Sequence, residues 1–256
     1  MGMIKYFSII LILAVLEHAV YADSNDIGAF GSRLINEFPS TVISDACSTF
    51  TRTDNLAALL IAGGASIALH NTDADKNIND NLHHRAFEDS TSDFFDIAGN
   101  PGVHLGATGI WYLYSSGTGD SAGKENAWTM LSALAITDAA AFSLKYIVDT
   151  ERPNDHSHAF PSAHTASSFC AASVLDEFYG PEIGIPAYIG AAFVGWRMMD
   201  AGDHWASDVL FGGTLGYVVG HTVGGKHKIE IAGFNIEPMI PVGQYPANGI
   251  VLVKRF

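Results

Sequence analysis

Between Asn126 and Val148 the apolar positions Ala127, Met130, Leu131, Leu134 and Ala135 recur at helical spacing. Pro153 bars continuation, because it lacks an amide proton and restricts the residue before it, so this helix must end near Asp149 or Thr150. Other apolar blocks run from Asn55 to His70 and over 102–117. Further helices are expected over Ser162 to Phe178, Ile183 to Met199 and His204 to Val223. Ser162 stands as a natural N-cap. Gly202 should break the chain before the last helix, with Asp203 as that helix's N-cap. Residues 23–53 are mixed and polar and read as a partly helical lead-in. After Gly224-Gly225 the pattern changes. Ile229, Ile231, Ile236, Ile250 and Leu252 stand among alternating or turn-rich residues, with Asn248-Gly249 as a turn. The pattern predicts an all-α fold, a helical bundle of about six core helices, with a small C-terminal β appendage. Its divisions are the lead-in 23–53, a helical domain 54–225 and a β-rich tail 226–256.

The first 22 residues have a different pattern. Lys5 precedes a short apolar core, Phe7 to Leu16, and Val20-Tyr21-Ala22 offers a cleavage site. This reads as a secretory signal, which places the protein outside the cytoplasm, in a periplasm. A membrane anchor is the alternative, but the core is shorter than the roughly 20 residues that span a bilayer. Residues 1–22 carry one positive and one negative charge, Lys5 and Glu17, so cleavage leaves the net charge at −14. Such an acidic chain repels nucleic-acid phosphates, which excludes a nucleic-acid partner. An anion site must therefore gather its cations locally. Hydrophobic residues make up 48% and charged residues 16%, a composition that fits a bundle either soluble or lying on a membrane surface. Asp138 and Lys145 interrupt the longest apolar block, and charges inside a membrane span are costly unless they face a bundle interior.

Export would permit a disulfide between Cys47 and Cys170, although Cys170 stands among small and apolar residues that suggest burial. The polar stretch NTDADKNINDN has the Asp73-x-Asp75-x-Asn77 spacing of a calcium loop, but Ile78 and His84 stand where that loop needs Gly and Glu. It reads as a solvated loop.

Three segments carry candidate chemistry. In KYIVDTERP, Lys145 and Arg152 lie seven apart, about two helical turns, so two cations can point the same way. In PSAH, Ser162 and Ala163 open a helix whose unpaired N–H groups and dipole favour an anion. Ala163 is small enough for close approach of a ligand, and His164 would stand beside a bound anion, able to protonate a leaving group. In WRMMDAGDHWASD, Arg197 precedes His204 by seven, and Asp208 follows His204 by four. That last spacing lets a carboxylate hold one imidazole nitrogen and leave the other free as a nucleophile. Each segment alone has a bland reading: a basic helix end, a capped helix, a structural ion pair. Together they supply cations, two histidines, an orienting carboxylate and a helix N-terminus, which suits phosphoryl transfer without a metal. His156 and His158, between the first two segments, read as rim positions, with metal binding by the His-x-His pair as the alternative, and His83-His84-Arg85 reads as either a second rim patch or plain surface. Asp138 could pair with Lys145 or satisfy a buried polar contact.

In this order the three segments resemble the signature of the type 2 phosphatidic acid phosphatase superfamily, shared by bacterial non-specific acid phosphatases and vanadium haloperoxidases. The resemblance covers roughly residues 100–223. It implies a helical bundle and a phosphohistidine mechanism with no cofactor. It also implies that Lys145, Arg152, Arg197, Ser162 and the Ala163 backbone hold phosphate, that His204 attacks phosphorus, that Asp208 orients it, and that His164 protonates the leaving oxygen. Two departures stand out. Ala163 replaces the usual glycine, and six residues rather than five separate Arg197 from His204, an excess that Ala201-Gly202 could absorb. The expected substrate is a phosphorylated small molecule or lipid, with the apolar helices favouring a lipid-linked one. The alternatives are a vanadate-dependent haloperoxidase and a non-catalytic envelope protein, the latter hinted at by the terminal GIVLVKRF.

Overall fold

A computed structural model describes residues 24–82, 89–226, 230–231, 234–238 and 250–253. The expected signal at 1–22, the His83-His84-Arg85 patch, Ile229, the Asn248-Gly249 turn and Phe256 lie outside the described residues. Ten helices account for most of the described chain. They are α1 Ser24–Asn36, α2 Phe38–Thr51, α3 Thr53–His70, α4 Asp73–Leu82 and α5 Asp89–Ala98, then α6 Pro101–Gly117, α7 Ser121–Val148, α8 Ala163–Tyr179, α9 Pro181–Asp200 and α10 Ala206–Lys226. Three short strands follow, β1 Glu230–Ile231, β2 Phe234–Pro238 and β3 Ile250–Val253, paired antiparallel in the order β1-β2-β3.

The core is the seam between α7, α8 and α10. Leu134 of α7, Ala166, Cys170 and Val174 of α8, and Leu215, Val219 and Val223 of α10 are buried there in one cluster. α8 and α10 approach closely because α10 presents Gly212, Gly216 and Gly220, one glycine per turn, to the backbone of α8. A Cβ at Gly212 would stand 2.6 Å from the Ser162 carbonyl oxygen, and one at Gly216 would stand 2.8 Å from the Cys170 amide nitrogen. The small Ala166 and Cys170 on the facing helix complete this fit. Both cysteines are free thiols, Cys47 exposed and Cys170 buried, so the possible disulfide is not formed. Among the described residues one helix, α7, is long and apolar enough to cross a membrane, and half of its apolar window is buried in the bundle.

α7 starts earlier than the periodicity alone places it. Asp120 caps it by accepting from the Gly123 amide at 2.9 Å. It ends at Val148, where Asp149 turns left-handed at φ 43°. The lead-in is part of the bundle. Asp45 of α2 is 1% exposed and accepts from Ser132 of α7 at 2.8 Å and from Lys226 of α10 at 2.9 Å. α1 docks through Arg33, which forks onto Glu125 at 2.8 and 2.7 Å and lies 4.2 Å from the centre of the Trp128 ring.

Two local expectations are corrected. The stretch read as a solvated loop is helix α4, and its Asp75 is 3% exposed. Acidic residues at its first turn suit the positive end of a helix, which favours helix over loop here. Asp203 does not cap α10, because that helix begins two residues beyond His204. Its first turn is held by Asp208, which reaches back to the Trp205 amide at 2.9 Å, as the third residue of a capping box does.

Candidate active site

The site is assembled at the ends of α7, α8, α9 and α10. Lys145 lies in the last turn of α7 and is 7% exposed. Its ammonium donates to the carbonyls of His158 and Ala159 at 2.9 and 3.1 Å, which fastens the loop from Asp149 to Ser162. That loop carries three non-glycine residues at positive φ, Asp149, Asp155 and His158, residue types that tolerate the left-handed region better than most. It swings Arg152 round toward Lys145. The Arg152 Nε is buried and makes no hydrogen bond among the described residues.

Ser162 caps α8. Its hydroxyl oxygen accepts from the Thr165 amide at 3.4 Å and from the Thr165 hydroxyl at 2.9 Å. The Ser162 amide donates to the Asp208 carbonyl at 3.1 Å, which ties the start of α8 to the first turn of α10. Ala163 and His164 then open the helix.

The extra residue between Arg197 and His204 is absorbed in a tight turn. α9 ends at Asp200, and Gly202 takes φ 74°, a conformation that glycine adopts without strain. The amides of Asp203 and His204 both donate to the Met198 carbonyl, at 3.0 and 3.1 Å. His204 is 4% exposed, and its Nδ1 stands 3.3 Å from Asp208 Oδ2. A ring held this way by a carboxylate keeps its proton on Nδ1 and its lone pair on Nε2.

One cavity of about 740 Å³ joins these elements, and Lys145, Arg152, Ala163, His164, His204 and His158 line it. Ser162, Arg197 and Asp208 are not on its wall. Arg197 is 8% exposed and reaches Asp96, which does line the cavity, at 3.6 Å. His158, expected at the rim, pairs with Asp149 at 2.9 Å and packs against Tyr146. The wall along α7 is formed by Asp138, Phe142, Lys145 and Tyr146, residues that share one face of that helix.

Burial and crowded positive charge set the protonation of the site. Burial lowers the Lys145 ammonium to about 8, helped by Arg152 and opposed by Asp208. Burial lowers His164 to about 4, with His204 and Lys145 adding to the effect and Asp203 opposing it. His204 is also lowered by burial, against the pull of Asp208. Each effect favours a neutral or weakly held positive group, and each would be opposed by an anion between them.

Residues 126–224 match the family model described as the PAP2 superfamily. This segment contains the whole of the cavity's cation and histidine set. A curated relative is the lipid A 1-phosphatase of Porphyromonas gingivalis, 31% identical over 110 residues, which cover 38% of this chain and 24% of that protein. The chain thus spans about a quarter of the length of that curated relative. Among solved structures, the transmembrane PAP2 type phosphatidylglycerolphosphate phosphatase of Bacillus subtilis superposes with a TM-score of 0.56. It is 20% identical over 66% of this chain and 92% of its own. The Aquifex aeolicus LpxE structure covers 58% of this chain and 90% of its own at 22% identity and a TM-score of 0.47. The PAP2 fold is helical, as is this chain's core.

Two features of the matched segment and its surroundings escape the sequence pattern. His104 of α6 packs its Nδ1 2.9 Å from the Ser167 hydroxyl, and burial lowers its pKa. Asp138 is 5% exposed, and neither of its oxygens has a hydrogen-bond partner among the described residues. Burial raises its carboxyl to about 7, with the nearby Ser167 hydroxyl pulling the other way. The alternative pairing with Lys145 is not made, because the Lys145 ammonium turns to the loop carbonyls instead. The sequence holds the types of these residues but no local signal that they meet.

Proposed function

We propose that this chain is a metal-independent phosphatase that hydrolyses phosphomonoesters or diphosphates, lipid-linked ones in preference, through a phosphohistidine. The observation that carries the reading is that His164 and His204 line one cavity with Lys145 and Arg152, while Asp208 holds His204 from behind. The lipid preference draws support from the relatives' names and from Phe142, Tyr146 and Ile147, which are 46%, 71% and 77% exposed on the same end of α7. The expected site of action is the periplasm, on the strength of residues 1–22 alone.

In this reading Lys145 and Arg152 neutralise the phosphoryl oxygens, the amides at the start of α8 add their dipoles, and Arg197 supports them through Asp96. The His204 Nε2 lone pair attacks phosphorus as the bond to the leaving oxygen breaks. The Asp208 carboxylate stabilises the positive ring that results. His164 gives its proton to the leaving oxygen and later takes one from the water that attacks the phosphohistidine, releasing phosphate and restoring His204. Ser162 serves as the cap that aims Ala163 and His164.

A substrate panel tests this: lipid phosphates, polyprenyl diphosphates and nucleotides, with and without detergent. Turnover should appear, should persist in EDTA, and should be inhibited by vanadate. His204→Ala should abolish it. Residual turnover in His204→Ala above about 1% of the wild-type rate would rule out the covalent step. A peroxidase activity switched on by vanadate would favour the haloperoxidase alternative.

A further inference from the structure

The residue immediately before Asp208 is held by every polar group it possesses. The Ser207 amide donates to Asp75 Oδ1 at 3.0 Å, and its hydroxyl donates to Asp75 Oδ2 at 2.5 Å. Its carbonyl accepts from the Ser66 hydroxyl at 2.9 Å. Asp75 and Ser66 come from α4 and α3, helices that lie outside the segment matched by the family model. Asp75 is 3% exposed, Ser66 3% and Ser207 2%. A carboxylate so placed accepts two donors at once, and charge-assisted bonds of this kind are stronger and more directional than neutral ones.

The position of this clamp gives it a consequence. Ser207 sits in the first turn of α10, one residue before the carboxylate that faces His204 and two residues after Trp205, whose amide the same carboxylate accepts. His204 lines the cavity, and a pocket of about 310 Å³, lined by Ser66 and Ile67 of α3, lies against Ser207 and Asp208. Without Asp75, the turn carrying His204 and Asp208 would keep its bonds to Ser162 and to Ser66 of α3 but lose both of its bonds to α4.

We propose that Asp75 is a positioning residue for the His204–Asp208 pair, fixing the nucleophile's turn from outside the segment that the family model matches. The proposal rests on the phosphatase reading above. Asp75 touches neither cavity nor phosphate, so its loss should act on the attack geometry rather than on anion binding. An error of about 1 Å in such a geometry costs on the order of 100-fold in rate.

The test compares Asp75→Ala, Asp75→Asn, Ser207→Ala and the Asp75→Ala/Ser207→Ala double variant in the full-length protein. Steady-state turnover of p-nitrophenyl phosphate gives kcat, and competition by inorganic phosphate gives the affinity of the cation cradle. Asp75→Ala should lower kcat about 10- to 100-fold while the phosphate inhibition constant moves less than about threefold. Asp75→Asn keeps one acceptor oxygen and should recover part of the loss. The double variant should be no slower than Asp75→Ala alone, because both changes break the same link. The His204 ring resonances, followed by nitrogen-15 NMR, should shift in Asp75→Ala, a readout that needs no turnover. A kcat within twofold of wild type in a variant that is only less heat-stable would overturn the proposal. So would an equal loss of kcat and phosphate affinity, or unmoved His204 resonances. A wild-type protein that turns over no phosphate ester overturns the phosphatase reading instead, and the NMR comparison still decides whether Asp75 fixes His204.

Discussion

His164 should take up a proton when an anion enters the cavity. Without an anion its pKa is about 4, lowered chiefly by burial and then by His204 and Lys145. At pH 6 a group with that pKa is protonated in only about 1% of molecules. A unit negative charge about 4 Å away, at the effective dielectric typical of such sites, favours the imidazolium by about 4 kcal/mol, or roughly three pKa units. That brings the group to about 7, so about nine molecules in ten would carry the proton at pH 6. Calorimetric titration with sulfate measures this directly, because sulfate does not itself titrate near pH 6. In two buffers of different ionisation enthalpy, the apparent binding enthalpies should differ by close to one proton's worth of buffer heat. Lys145 is already charged at pH 6 and contributes nothing. His204 can contribute, so the diagnostic is the difference between wild type and His164→Gln, in which most of the uptake should vanish. Buffer-independent enthalpies in the wild type, or undiminished uptake in His164→Gln, would show that His164 does not face the bound anion. The general-acid role would then fail with it.

The same depressed pKa ties His164 to stability. Unfolded, the ring binds a proton below about 6.5, and folded only below about 4, so stability should fall as pH drops through that window, less steeply in His164→Gln, in urea titrations at stepped pH. Asp138 has the opposite sign: its raised carboxyl binds the proton more tightly when folded, so stability should fall as pH rises from about 4 to 7. Asp138→Asn should therefore be more stable than wild type at pH 8, by on the order of 2–4 kcal/mol, and the gain should shrink toward pH 4 in the same titrations. Gly216→Val should destabilise by at least about 1–3 kcal/mol, because its Cβ would meet the Ala166 carbonyl and stand 2.8 Å from the Cys170 amide, backbone atoms that cannot rotate away. A melting temperature equal to wild type would mean that α8 and α10 can separate without loss.

Two helix boundaries, though not the expected Asp203 cap or the start of α7, were legible in the sequence because they are local. The end of α7 near Asp149 follows from Pro153 and from the periodicity before it, and the Ser162 cap follows from a side chain that can reach only its own next turn. The i,i+4 relation of His204 and Asp208 is likewise a property of one helix-prone stretch, and it survives although α10 begins two residues after His204 rather than at it. What only the tertiary structure decided is which distant groups satisfy one another. Asp75 reads as a solvated acid within NTDADKNINDN, yet it is buried 132 residues from the turn it holds. Asp45 and Arg33 turn a polar lead-in into two walls of the bundle. Asp138, seven residues from Lys145, has no hydrogen-bond partner among the described residues, while the Lys145 ammonium bonds the loop carbonyls. A buried polar group must find a partner or change its charge, and the partner can lie anywhere along the chain, so residue type announces the need but only the packed fold names the partner.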